Sequence, residues 1–323
     1  MVDHGVFIGE WASGTAPDSS VSLPVDGGPL VLYVLLHVDD GLAITNSPSL
    51  YAWFLKVLAK HLLNVDLGHC SKVLSIIIHD QPNHHLWLSS HVYVSELLDE
   101  WNLSSCKPAS ISFPCNVADL PPALANSLSD ISDTDLVTKY QCLIGCLLYL
   151  TISTCPDIAY YAMWLGHFNA EPSCTHFLAA KHVLCYLSGT KQLVLCLGSP
   201  SSHTPPTLCA YMQSVVCSDA DWASDALDRK CISGYSFFFE GSLVSWSTVK
   251  QKSIALSSME AEYYVMTHAS KEALWLHTFL GLLLFPIPHP FPILTDNQAM
   301  CSLSNLLVIS AHSKHIDIRH HFL

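Results

Sequence analysis

Three acidic residues in the last third of the chain have sequence settings that suit metal-dependent hydrolysis of a phosphodiester. They are Asp219 in SDADW, Glu260 in SSMEAEY and Asp296 in LTDNQ. Two divalent cations can stabilise both the attacking and the leaving oxygen of this reaction when carboxylates converge on them. Mg²⁺ is the natural candidate because it prefers oxygen ligands, and Mn²⁺ accepts the same ligands. The pattern predicts that the three carboxylates hold these ions.

Apolar runs precede two of these acids and indicate the strands that would position them. Residues 208–217 are rich in β-branched and aromatic side chains and indicate a buried strand, so Asp219 would emerge near its C-terminal end. A second apolar run, residues 291–294, ends just before Asp296. Two strand ends of this kind can meet at one edge of a sheet. Taken singly, either acid is as readily explained as a solvated side chain.

The third acid falls in the first turn of a predicted helix. Ser257 and Ser258 are suitable N-caps for a helix over about residues 259–280, which would carry Glu260. A helix that starts at the sheet edge would bring this carboxylate to the other two. A lone glutamate at such a position is equally well explained by helix capping, so the prediction depends on the three acids together.

Longer segments around these acids resemble the ribonuclease H domain of copia-type retrotransposons. The resemblance is carried, in the family's order, by SDADWASDALDRKCISGYSFFFEGSLVSWSTVKQKSIALSSMEAEYYVMTHASKEALWL, TDNQAM and HSKHIDIRHHF. It implies that Asp219, Glu260 and Asp296 are catalytic metal ligands. It also implies that the substrate is the RNA strand of an RNA–DNA hybrid.

Segments earlier in the chain resemble the second half of the reverse transcriptase of the same elements. They are LLHVDDGLAITNS, CKPASISFP, YQCLIGCLLYLTISTCPDIAYYAM and AAKHVLCYLSGTK. The resemblance places Asp39 and Asp40 where reverse transcriptases carry an aspartate pair, with His37 in place of the usual tyrosine. Two adjacent acids are also a common composition for the tip of a hairpin, so the pair alone is weak evidence.

The two ends of the chain limit the activity that the resemblance implies. The family has a further metal-binding aspartate well before the aspartate pair, whereas only 38 residues precede Asp39 here. It also has a fourth nuclease carboxylate on a last helix, and Asp317 is the only late acid present. We therefore expect no primer extension and weak or absent ribonuclease H activity. Whether Asp317 replaces the fourth carboxylate stays open.

These patterns predict an α/β protein in which a partial reverse transcriptase palm and thumb, of α+β type, precede a truncated ribonuclease H-like mixed-sheet domain. The predicted boundaries are 1–105 for the palm and thumb, 106–207 for a connection region and linker, and 208–323 for the ribonuclease H-like domain, incomplete at its C-terminus. Proline- and serine-rich stretches separate these regions.

The charge balance is unusual for a protein that grips nucleic acid. The chain has 14 Lys and Arg against 27 Asp and Glu, a formal net charge of −13. Phosphate neutralisation by basic side chains supplies much of the affinity for nucleic acid. The candidates for hybrid binding are Arg229, Lys230, Lys250 and Lys252, and we expect this binding to be weak. The alternative function is a non-catalytic remnant, or a module that binds nucleic acid or protein.

Cysteine usage and hydropathy predict an intracellular protein, cytoplasmic or nuclear, and not a secreted one. The 13 cysteines include no C-x-x-C pair, and the first residues do not have the pattern of a signal peptide. Residues 276–295 carry no charge, but four prolines at alternate positions are incompatible with a spanning helix. No membrane partner is predicted, and the sequence does not indicate an oligomeric state.

Overall fold

A computed structural model of the chain shows a mixed α/β protein. It describes residues 5–24, 27–82, 85–112, 133–198, 214–221, 230–255, 257–285 and 291–296. Three sheets and six α-helices lie within these ranges. The chain divides into two compact units: Met1–Val73 with Leu276–Pro288, and Leu74–Trp275 with His289–Leu323. The α/β class is confirmed, and the predicted domain boundaries stay a prediction.

Runs of strands and helices alternate along the described part of the chain. In chain order they are β1 (Val6–Trp11), β2 (Leu30–His37), β3 (Asp40–Thr45), α1 (Pro48–Leu58), β4 (Lys72–Val73), β5 (Ile76–Gln81), β6 (His85–Ser89), α2 (His91–Glu100), α3 (Asp133–Ser153), α4 (Ala159–Gly166), α5 (Cys174–Thr190), β7 (Leu195–Leu197), β8 (Ser214–Asp221), β9 (Ile232–Phe239), β10 (Ser242–Lys250), α6 (Ser258–Leu282) and β11 (Ile293–Leu294). A short 3-10 helix, Pro156–Ile158, precedes α4.

The first unit is built on an antiparallel sheet with the order β1-β2-β3. Leu30 and Leu32 of the central strand are buried with Leu50 of α1, because alternate side chains of a strand share one face. Helix α1 starts where sequence rules place a start: Ser47 Oγ accepts a hydrogen bond from the backbone N–H of Leu50, and proline follows the cap. Strands β2 and β3 form a hairpin, and Asp39 and Asp40 lie at its tip, where the composition of this acidic pair is common.

The main hydrophobic core lies in the second unit among helices α2, α3, α4 and α5. In α3, Leu143, Ile144, Leu147 and Leu150 recur on one face at helical spacing and are fully buried. The buried hydroxyl of Tyr140 donates to the backbone carbonyl of Leu165 at 2.7 Å, so the one polar atom of this side chain is satisfied inside the core. Helices α3, α4 and α5 account for most of residues 135–190.

One helix among the described residues, over Asp135–Ser153, is long and apolar enough to cross a bilayer. Its buried leucines pack into the core of the second unit, as in many core helices that pass the same test. Length and composition are therefore weak evidence for a membrane span here.

The sheet that carries the candidate site has the order β10-β9-β8-β11. The first three strands are antiparallel neighbours, and β11 runs parallel to β8. Helix α6 contacts this sheet through its side chains: Tyr263 and Met266 pack against Ile293, and Ser245 Oγ donates to Glu272 Oε1 at 2.8 Å. The predicted helix over 259–280 and strand within 291–294 are confirmed.

Candidate metal-binding carboxylate site

Strand pairing brings two of the predicted acids to the same end of the sheet. Leu294 of β11 pairs with Cys217 of β8 in a parallel register. Two residues further along each strand stand Asp296 and Asp219, so the register sets these carboxylates level with each other. Both are exposed. The sequence prediction for these two acids therefore agrees with where the structure places them.

Helix α6 supplies the third carboxylate of the group, and it is Glu262. One carboxylate oxygen from each of Asp219, Glu262 and Asp296 lies within 4.8 Å of the other two. Glu262 is buried, with 5% of its surface exposed, whereas its two partners reach solvent. The group thus combines one acid anchored inside the protein with two at its surface.

The sequence prediction placed Glu260 in this group, and the structure instead places it elsewhere on the helix. Residues two apart on an α-helix differ by about 200° around its axis. Glu260 therefore lies on nearly the opposite side from Glu262. Its backbone N–H donates the capping hydrogen bond to Ser257 Oγ at 3.1 Å, which fixes Glu260 in the first turn. The sequence prediction named Glu260 because it had no helix phase to separate the two glutamates of the EAE segment, whereas the structure groups Glu262 with the two aspartates.

The environment of Glu262 destabilises the ionised form of its carboxyl group. Its Oε1 accepts a hydrogen bond from the backbone N–H of Ala220 at 3.1 Å, while its buried Oε2 has no hydrogen-bond partner in the described part of the chain. Burial, and to a smaller extent the charges of Asp219 and Asp296, raise the pKa of Glu262 to about 7 despite the lowering effect of the Ala220 hydrogen bond. A buried, unpartnered carboxylate oxygen beside two other carboxylates is a configuration that a cation would stabilise.

A second residue that the sequence did not single out holds this arrangement together. Gln251 has 2% of its surface exposed, and its Nε2 donates to Ser233 Oγ at 2.9 Å and to the carbonyl of Ala261 at 3.0 Å. Its backbone N–H donates to the carbonyl of Cys231 at 2.8 Å. Gln251 thereby ties strand β9 to the turn of α6 that carries Glu262. Its position in the sequence, directly after the residues of β10, gave no signal of this role.

The proposed hybrid-binding cations lie near the same end of the sheet. Asp221, Ile232 and Lys250 occupy one cross-strand row, two pairs beyond the row of Asp219. Lys230 precedes β9 by two residues, and Lys252 follows β10 and is exposed. Arg229 lies outside the described residues, as does Asp317. The structure thus gathers three of the four predicted cations at the edge where the carboxylates converge.

The aspartate pair of the first unit has a different setting. Asp39 lies in the turn between β2 and β3, and Asp40 opens β3 opposite His37. Both are exposed. Val38 precedes them with φ of 56°, a left-handed conformation that is strained for a β-branched residue. Among the described acids, only the Asp219 group brings three potential metal ligands together.

The donor set of this group fits a hard divalent cation. All three ligands are carboxylates, which Mg²⁺ and Mn²⁺ accept in preference to the sulfur and imidazole ligands of zinc sites. Two of them are exposed, so water and a phosphate oxygen can complete the coordination sphere. This arrangement can hold an ion and present it to a phosphodiester at the protein surface.

Comparison with known proteins shows extended similarity to transposon polyproteins. The chain is 32% identical over 293 residues to the retrovirus-related Pol polyprotein from transposon TNT 1-94 of Nicotiana tabacum, covering 90% of this chain and 21% of that protein. It is 33% identical over 298 residues to the corresponding polyprotein from transposon RE1 of Arabidopsis thaliana, covering 92% of this chain and 19% of that one. The chain thus spans about a fifth of the length of these relatives.

A shorter relative is covered over most of its length. The chain is 30% identical over 246 residues to the transposon Ty5-1 protein YCL074W of Saccharomyces cerevisiae, which corresponds to 76% of this chain and 74% of that protein. No family model and no solved structure matches the chain.

Proposed function

Because this chain belongs to the family of copia-type retrotransposon Pol polyproteins, of which it represents a fragment, we propose that its C-terminal part hydrolyses the RNA strand of RNA–DNA hybrids. The observation that carries the proposal is the convergence of Asp219, Glu262 and Asp296 from three separate elements on one point at the sheet edge. Residues 208–323 would then form a ribonuclease H-like domain.

The mixed sheet supports this assignment of the fold. Three antiparallel strands and one parallel strand place β8 at the centre of the site, with α6 crossing to deliver a buried carboxylate. Each element contributes one acid, so the site forms only when sheet and helix are packed correctly. The packing of the sheet against the helix would thus hold the three carboxylates in place, as a catalytic site requires.

The carboxylates would hold Mg²⁺ or Mn²⁺, which when bound supplies charge stabilisation for the phosphate oxygens and lowers the pKa of a water nucleophile. Asp219 and Asp296 are the exposed ligands that face substrate. Glu262 contributes the oxygen that lacks a partner, and the Ala220 N–H orients its carboxylate. Fixed ligands of this kind lower the barrier because they need no reorganisation during the reaction.

The hybrid would reach the carboxylates along the edge marked by Lys230, Lys250 and Lys252. Their three charges act against a chain of net charge −13, so we propose weak binding with a strong dependence on salt. The first unit, with Asp39 and Asp40 on a hairpin, would be a remnant of a reverse transcriptase palm. We assign no catalysis to it.

The decisive experiment is cleavage of a hybrid whose RNA strand carries an end label. Purified protein should cut this RNA in Mg²⁺ or Mn²⁺, should not cut it in EDTA, and should leave duplex DNA intact. Asp219→Asn should abolish cleavage while the protein keeps its thermal unfolding transition. Cleavage that persists in Asp219→Asn would reject the site. Binding without cleavage by the unaltered chain would instead favour the non-catalytic alternative.

A further inference from the structure

A groove runs over the sheet beside the carboxylate group, and the proposed reaction leaves it without a role. It has a volume of about 350 Å³. Its floor comes from strands β8, β9 and β10, and its wall comes from Pro156, Ala159 and Tyr160. The volume falls within the range of roughly 300–1,000 Å³ that is typical of small-molecule sites.

Strand register defines the floor as two cross-strand rows. Directly opposed residues of antiparallel strands present their side chains on the same face. The first row is Asp219, Gly234 and Thr248, and the second is Cys217, Ser236 and Trp246. All six line the groove. Asp219 also lines the open pocket that contains Asp296, so the groove is continuous with the carboxylate site.

Gly234 keeps the first row open next to the Asp219 carboxylate. A Cβ atom built on Gly234 would meet only the backbone oxygen of Ser247, at 3.8 Å, which is an ordinary contact. Its φ does not lie in the left-handed region that favours glycine. Neither packing nor backbone conformation requires glycine here. Glycine within a strand often marks the close approach of a ligand.

The side chains that line the groove indicate which class of ligand it can bind. Among the described residues no Lys or Arg lines the groove, so this lining does not suit a phosphate. It offers instead the rings of Tyr160 and Trp246 and the hydroxyls of Ser236 and Thr248. The Trp246 ring is held in place because its Nε1 donates to the carbonyl of Thr151. Rigid aromatic rings with nearby hydroxyls are suited to a base and its sugar.

We propose that this groove binds one nucleoside of the nucleic-acid substrate, next to the phosphate that a cation bound by Asp219, Glu262 and Asp296 would hold. The inference rests on the proposed function, because the carboxylate site places the phosphate. In a chain with only 14 Lys and Arg against 27 Asp and Glu, such a contact supplies affinity that does not depend on charge. Binding through the groove should therefore survive at salt concentrations that screen the lysines.

The test fills the groove without disturbing the fold. Gly234→Ala and Gly234→Val add side chains to the floor, and a strand accommodates both residues more readily than glycine. Binding of a fluorescein-labelled RNA–DNA hybrid is titrated in EDTA at low and at moderate salt, so the readout does not depend on cleavage. We expect Gly234→Val to weaken binding about tenfold, as loss of one stacked base would, and Gly234→Ala to have a smaller effect.

Gly145→Ala is the matched control, since this exposed helical glycine also has open space around its Cβ position. It should raise thermal stability and leave binding unchanged. Equal hybrid binding by Gly234→Val and the unaltered chain would overturn the groove proposal alone, provided that Asp219→Asn still abolishes cleavage. A large fall in the unfolding temperature of Gly234→Val would also overturn it, because the protein itself would then fill the groove. An unaltered chain that neither binds nor cuts the hybrid overturns both proposals.

Discussion

Two acidic sites in this chain are built in opposite ways. Asp39 and Asp40 are adjacent in sequence, exposed, and placed by a single hairpin turn. Asp219, Glu262 and Asp296 come from positions far apart in the chain and meet only because a sheet and a helix pack together. The first site needs only a local turn, whereas the second needs the tertiary structure.

The difference shows what distinguishes a candidate catalytic centre from an acidic turn. An exposed pair of carboxylates costs little because water solvates both. The buried Glu262 is expensive, since its charge is desolvated and one oxygen has no partner among the described residues. A group that is this unfavourable when ionised contributes nothing to stability by itself, and a cation at this position would offset its desolvation.

The largest expected effect contrasts one acid from each site. Asp296→Asn should reduce Mg²⁺-dependent cleavage of hybrid RNA by about a thousandfold, because it removes a metal ligand that faces the transition state. Asp39→Asn should leave the cleavage rate unchanged. Rates are compared under single-turnover conditions, so that weak binding does not mask the chemistry. Equal loss in both variants would remove the distinction between the two sites.

The second contrast separates the two glutamates of helix α6. Glu262→Gln should lower cleavage by about a hundredfold, because the amide keeps the shape but supplies a weaker ligand for the cation. Glu260→Gln should change cleavage by less than about tenfold, since that side chain lies on the other side of the helix. Mn²⁺ binding, measured by calorimetry, should weaken only in Glu262→Gln. The opposite ranking would reinstate Glu260 as the ligand.

A third effect concerns the residue that positions the helix. Gln251→Leu removes both amide hydrogen bonds and leaves the buried hydroxyl of Ser233 without its partner. We expect a loss of about 2–3 kcal/mol in the free energy of unfolding. Mn²⁺ affinity should fall as well, because the turn that carries Glu262 is no longer tied to β9. Gln141→Leu is a suitable control, since its amide donates to the Asn169 carbonyl at an exposed position.

A stable variant at position 251 with unchanged Mn²⁺ affinity would show that packing alone positions Glu262. Reduced stability with unchanged metal affinity would assign Gln251 a purely structural role. The two measurements therefore separate positioning from folding.

The sequence predicted which strands and helix carry the site more accurately than it predicted which side chains form it. The cap at Ser257, the apolar run before Asp296 and the acidic turn at Asp39 are local signals, and the structure bears them out. The selection of Glu262 over Glu260 depends on the rotation of a helix against a sheet. Local sequence patterns predict neither that rotation nor the burial of Gln251, because both depend on tertiary packing.

The smallest expected effect is a pH dependence that only the buried site should show. Without metal, Glu262 has a pKa near 7 in the folded protein and an ordinary value of 4.5 otherwise. The folded state therefore binds this proton more tightly, so stability is highest below about pH 4.5 and falls as pH rises to about 7. After solvent screening the loss should be of the order of 1 kcal/mol. Urea unfolding in EDTA should show this slope in the unaltered chain and in Glu260→Gln, but not in Glu262→Gln. The amide of Glu262→Gln does not titrate, so this variant is the reference for the unaltered chain. If the difference in the free energy of unfolding between the two proteins stayed constant with pH, Glu262 would not titrate in this range.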